Sequence, residues 1–266
     1  MIATLKRVLG EPYRVFFMAA GLYAVCALLV WEIWLGVHTA GGMVNDMPFA
    51  AAPHLWHAHE MIFGYAGAVL GGFFLTAVPN WTGSRAAAQI FVTLAAQNVA
   101  FLAFLSLIWL GNLMVHLEWT GLTDDSLYTG LRVGLFSLCL MIAVLGGRVT
   151  PGFTRNAMKR AGVADSDLPR SRKPLDIAAI ALISLTTLAL LVGAPDVVTA
   201  SFAIAGGVAQ ILRIAFWGTL WTLRQPILWA LHLGMGMLGA GLVLWGLSAF
   251  GQGSEVAALH VLGIGA

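Results

Sequence analysis

The sequence predicts an all-α fold, a polytopic bundle of transmembrane helices, and three observations carry that prediction. Of 266 residues, 59% are hydrophobic and only 10% charged, with a mean hydropathy of +0.87; a soluble domain carries about a quarter charged residues. The apolar runs are long and continuous, whereas a membrane barrel shows alternating pieces of about ten residues. The 31 glycines suit helices whose backbones approach closely in a membrane, and Gly67 and Gly71 form one GxxxG pair.

Taken in order, the first apolar run covers 16–37 and follows Lys6, Arg7 and Arg14. Its length and the lack of an A-x-A cleavage site predict a retained anchor helix. A histidine-rich segment begins at Pro53, a residue suited to a first helical turn, and leads into an apolar run over 62–79. Further runs lie near 86–115, 130–147, 175–194, 198–222 and 227–250, so seven full spans are expected in a single domain, 1–266. An eighth begins at Val256, but 256–266 covers only about 16 Å as a helix, short of a ~30 Å hydrocarbon core. The expectation is an incomplete eighth span in a natural protein that continues past Ala266.

Charge sets orientation. With the N-terminus on the cytoplasmic side, Lys6, Arg7, Arg14, Arg85, Arg148, Arg155, Lys159, Arg160, Arg170, Arg172, Lys173 and Arg224 all fall on one face, leaving Arg132 alone among basic residues at the opposite one. The pI near 8.7 therefore reports topology and not nucleic-acid binding. The basic loop 148–173 is read as a contact for anionic lipid. Cys26 and Cys139 lie within apolar runs and read as small core residues.

The chemistry-bearing residues gather at one helix mouth: His54, His57 and His59, then Glu60 and Met61. Residues three or four apart share a helix face, so His54, His57 and Met61 line one stripe while His59 faces another with Phe63 and Gly67. His57 and His59 therefore suit two sites and not one. Imidazole with thioether suits copper, and imidazole alone suits copper or haem iron; the plainer reading is interfacial hydrogen bonding. His38 and His116 fall at the same face, and His260 comes near the level of His59. His232, six residues past Pro226, lies deeper toward the opposite side. Arg213 is expected about nine residues from the inner end of its span, too deep to reach water, which calls for a buried partner: the surroundings of His232, a carboxylate such as Asp176, or a cofactor propionate. Trp56-x-x-His59 is echoed by Trp229-x-x-His232, each before a glycine-rich run. No P-loop, HExxH or GxSxG is present, and the GxGxxG at 234–239 lies inside an apolar run with no strand before it, which removes the usual support for nucleotide, dinucleotide or hydrolase chemistry.

Five blocks in succession, WHAHEMIFGYAGAVLGGFFLTAVPNWTG (56–83), GGRVTPGFTRN (146–156), ILRIAFW (211–217), ILWALHLG (227–234) and ALHVLGIG (258–265), resemble the signatures of the NnrS family. The resemblance implies a bacterial inner-membrane protein with haem and copper, acting in the response to nitric oxide and nitrosative stress, with nitric oxide or its metal-thiol complexes as partners. It points to His57, His59, Glu60, Arg148, Arg155, Asn156, Arg213, Trp217, His232 and His260. Members of the family are longer, with about twelve spans. Within that frame, the matched depth of His59 and His260 makes them the expected axial ligands of one haem, with Arg132 facing its propionates, and leaves His54, His57 and Met61 for copper. His232 and Arg213 complete the cofactor-binding candidates. The alternatives are a haem-free transporter or sensor that uses intramembrane His and Arg, and a non-catalytic assembly factor.

In a cysteine-free background, cysteines placed at Asp46, Asp124 and Gly253 should react with an impermeant thiol reagent added outside the cell, and one at Arg160 should not. The reverse labelling pattern overturns the orientation.

Overall fold

The computed structural model describes residues 11–42, 52–82 and 96–266. Lys6, Arg7, Asp46, Arg85 and the start of the third span, 86–95, lie outside the described residues. Among those described, the chain forms nine α-helices and no strand: α1 (Pro12–Thr39), α2 (Pro53–His59), a π-helical turn (Glu60–Tyr65), α3 (Ala66–Thr82), α4 (Ala96–Trp119), α5 (Leu127–Arg160), a 3₁₀ turn (Asp165–Asp167), α6 (Lys173–Leu191), α7 (Asp196–Ala215), a second 3₁₀ turn (Thr219–Arg224), α8 (Pro226–Ser248) and α9 (Glu255–Gly265). Among the described residues, seven segments are long and apolar enough to cross a membrane. Proline stands in the first turn of α1, α2, α6 and α8, where its missing N–H costs nothing.

Two boundaries differ from the sequence expectation. Helix α5 does not stop at 147 but continues through Pro151 to Arg160, 34 residues or about 51 Å at the helical rise. The first half of the expected basic loop is therefore helix. Helix α7 ends at Ala215 and not near 222, because Gly218 takes a left-handed conformation (φ 72°) that turns the chain into the 3₁₀ segment. Arg213 consequently sits in the last turn of its helix and not nine residues from its end, so depth does not explain it; burial does, as shown below.

The chain divides into two compact units, up to Gly134 and from Leu135 onward, with the division inside α5. In the first unit, α1 packs on α3. A Cβ on Gly71 would meet Phe16 Cδ1 at 2.7 Å, and one on Gly72 would meet Phe17 at 3.1 Å, whereas Gly67 has nothing within 4 Å. The working glycine pair of this contact is thus 71 and 72, not the expected 67 and 71. Val115, Leu127 and Leu131 form a buried cluster, with Leu55, Ala58, Ile62, Phe63 and Trp119 against it. In the second unit, α7 packs between α6 and α8, and a Cβ on Gly207 would fall 2.5 Å from the Gly239 carbonyl. Ile214, Trp217 and Met235 form a buried cluster there, with Ile142 from α5.

Gly207→Val should destabilise the protein by about 1–3 kcal/mol through overpacking of α7 on α8, read as a lower unfolding midpoint in detergent. Gly152→Ala, where nothing lies within 4 Å, should be neutral or stabilising by up to ~1 kcal/mol.

Candidate functional site

In the first unit, His59 is the best-engaged of the expected ligands. It is buried, at 7% exposure, and its two nitrogens are tied to two different elements. Nδ1 lies 3.1 Å from Glu60 Oε1 and Nε2 lies 2.8 Å from Asn112 Oδ1 of α4. Glu60 also accepts from the Tyr23 hydroxyl of α1, so a hydrogen-bonded line Tyr23, Glu60, His59, Asn112 joins three membrane segments. Both facing oxygens are acceptors, so a neutral ring protonated at Nδ1 toward Glu60 has its lone pair at Nε2 against Asn112. An asparagine amide can turn its NH2 toward that lone pair.

Aromatic rings wall this histidine: Phe63 at 5.1 Å, Trp119 at 4.8 Å and, edge-on, His116 at 5.1 Å between ring centroids. Asn112, His116 and Trp119 are spaced i, i+4, i+7 on α4, one helix face, and that spacing was the readable signal that sequence analysis passed over. His116 was placed at the same membrane face but not among the ligands.

His57 points elsewhere. Its ring stacks on Trp31 of α1 at 4.7 Å and 16°, Trp31 stacks on Trp34 at 5.3 Å, and Trp34 stacks on His38 at 5.0 Å. The two histidines thus face α1 and α4 respectively, as their spacing on the helix requires. His54 is exposed, Met61 half-buried within the π-helical turn, and Arg132 half-buried on α5. Among the described residues, no three His, Cys, Asp or Glu side chains converge as a metal-binding group.

In the second unit the polar groups gather around Arg213, 3% exposed. Its Nε donates to Asp176 Oδ1 at 2.8 Å, and its Nη1 donates to the Ala143 carbonyl at 3.2 Å and to Gln210 Oε1 at 2.8 Å. Asp176, one of the partners expected for Arg213, also accepts from Ser171. The guanidinium lies against Gly147 of α5, where a Cβ would collide with Nη2, which explains the second glycine of the GGR block; the first, Gly146, seats the Met235 thioether. The other face of the group is covered by Trp217, with Cζ 5.3 Å from the ring centroid. Beyond Trp217, edge-on at 6.3 Å, lies His232, 3% exposed, held by Thr154 at Nε2 and Thr219 at Nδ1, each at 2.9 Å. Gln210, Thr154 and Thr219 had no sequence signal, since a membrane-embedded threonine ordinarily bonds back to its own helix.

His260 is exposed on α9, and its Nδ1 donates to the Val256 carbonyl at 2.7 Å. A carbonyl cannot donate, so Nδ1 holds the proton and Nε2 carries the lone pair. Arg155 donates to the Pro169 carbonyl at 2.6 Å, while Arg148 and Asn156 are exposed on α5.

A family model described as NnrS protein matches residues 7–96 and 85–266. No curated protein and no solved structure matches the chain.

Asp176→Asn leaves the buried guanidinium without its counter-charge and should cost on the order of 3 kcal/mol, the low end of the range for a broken buried pair because the Asp176 side chain is 22% exposed. The double variant Asp176→Leu with Arg213→Met should recover most of that loss in the same chemical-unfolding measurement.

Proposed function

Because the chain belongs to the NnrS family, we propose that it is an integral membrane haem and copper protein of the nitric oxide response, resident in the bacterial inner membrane with its N-terminus cytoplasmic. The observation that carries this reading is a shared arrangement of two histidines. In His59 and in His260 Nδ1 faces an oxygen acceptor, a carboxylate in one and a backbone carbonyl in the other, which in a neutral ring leaves the lone pair at Nε2; at His59 this requires the Asn112 amide to turn its NH2 to Nε2. That is how ligating histidines are oriented, with an outer partner fixing tautomer and ring direction. The residues present therefore fit a haem iron or copper ion.

His232 is built differently, with both nitrogens on hydroxyls, and is not assigned as a ligand in this reading. The haem ligands proposed are His59 and His260, with Arg132 for the propionates; copper is proposed for the stripe of His54, His57 and Met61, beside the stacked Trp31 ring. For His59 to ligate through Nε2, the Asn112 amide has to withdraw. Phe63, Trp119 and His116 then keep water from the ring and restrict its rotation. Glu60 holds the Nδ1 proton and keeps the ring basic. A bound haem would supply an open iron position for nitric oxide or, with two histidine ligands, one-electron transfer.

Purified protein should be red-brown with a Soret band and should carry copper by elemental analysis. His59→Ala and His260→Ala should each lose most of the Soret absorbance, and His57→Ala should lose copper with the Soret band retained. A colourless wild-type protein overturns the reading, and loss of haem in His232→Ala with retention in the other two overturns the ligand assignment.

A further inference from the structure

We propose that His232, Thr154 and Thr219 form a proton-exchange element buried among the helices of the second unit, in which the imidazole passes a proton between two hydroxyls. The argument is a count of protons. A hydroxyl has one proton to donate, and a carbonyl oxygen can only accept. Thr154 Oγ1 lies 2.9 Å from the Thr150 carbonyl and 2.9 Å from His232 Nε2. Thr219 Oγ1 lies 2.9 Å from the Ile214 carbonyl and 2.9 Å from His232 Nδ1.

When both hydroxyl protons go to the carbonyls, both ring nitrogens must donate, and the ring is an imidazolium. A neutral ring has a single N–H, so one hydroxyl must turn from its carbonyl to the bare nitrogen. Two such arrangements exist: Nδ1–H with Thr154 turned, and Nε2–H with Thr219 turned. The three states share their heavy-atom positions and differ only in where protons sit and how two hydroxyls are rotated.

A proton from water, delivered through one hydroxyl, forms an N–H bond at the bare nitrogen. Loss of the other N–H proton through the opposite hydroxyl, again to water, returns a neutral ring of the other tautomer. One N–H bond forms, one breaks, and no electrons are transferred. The Thr219 side begins next to the chain surface, since Arg224 and Gln225 at the end of the same turn are exposed and the buried Thr222 hydroxyl donates to the Thr219 carbonyl. The Thr154 side leads onto α5.

Charged groups on the surrounding elements leave this ring to the threonines. Arg213 of α7 is across Trp217 and is answered by Asp176 of α6. Arg148 and Arg155 of α5 and Arg224 of the 3₁₀ turn are exposed. On α9, Glu255 accepts from Trp245 and His260 is exposed. Among the described residues no carboxylate contacts the ring.

The test is nitrogen and carbon NMR of ring-labelled histidine in the full chain in lipid nanodiscs, with the His232 signals assigned by their loss in His232→Gln. Thr154→Val leaves Thr219 as the only partner. The ring then donates from Nδ1 while Thr219 keeps its carbonyl, the arrangement with the fewest unmet groups. Thr219→Val should give the opposite tautomer, Nε2–H, and the wild type should show the two in exchange. Serine at either position should restore the wild-type spectrum, which a purely steric role would not predict. The same tautomer in both valine variants overturns the proposal. Should a valine variant fail to fold, the wild-type spectrum decides alone: a single fixed tautomer from about pH 5 to about pH 9, the range over which histidine changes charge, overturns it, and exchange between two supports it.

Discussion

A guanidinium enclosed by apolar helices has to be answered by those helices, because there is no water to do it. The second unit is arranged around that requirement at Arg213. Helix α6 contributes the carboxylate of Asp176, α5 contributes the Ala143 carbonyl and the bare surface of Gly147, and α7 contributes Gln210 from one turn earlier. Trp217 closes the remaining face and stands between this charged group and His232. Three helices are thus held in register by one side chain, a stronger specification than apolar packing of leucines and alanines supplies, since leucine packs nearly as well one turn away.

The histidines differ in what holds them more than in where they lie. In His59 and His260 a pure acceptor faces Nδ1, and at His59 the opposite nitrogen faces the Asn112 amide. In His232 both partners are hydroxyls, which can give or receive. The first arrangement suits the metal ligation proposed for it, and the second suits the proton exchange proposed for His232. On those proposals a single residue type would serve two chemistries, chosen by the acceptor strength of its neighbours.

Much of this was legible in the sequence, because membrane helices announce themselves by length and hydropathy and because faces follow from the helical period. The opposed directions of His57 and His59, and the carboxylate for Arg213, were readable in that way. What was not readable depended on backbone geometry or on contacts between distant segments. The continuation of α5 through Pro151 reflects tertiary packing overriding a local break. The early end of α7 turns on the left-handed conformation of Gly218, which no hydropathy profile registers. The hydroxyl partners of His232 come from positions 78 and 13 residues away, and nothing in a list of threonines marks the two that will meet one ring.

The π-helical turn at Glu60–Tyr65 interrupts an otherwise regular helix immediately after His59. A π turn accommodates one residue more than the α-helix would, and each residue of an α-helix advances the face by about 100°. The segment before the turn and the segment after it are therefore phased independently: Gly71 and Gly72 of α3 keep their contacts with Phe16 and Phe17 of α1, while His57 and His59 are directed at Trp31 and Asn112. Re-aiming the side chains at the mouth therefore need not rotate the membrane-embedded half of the same helix.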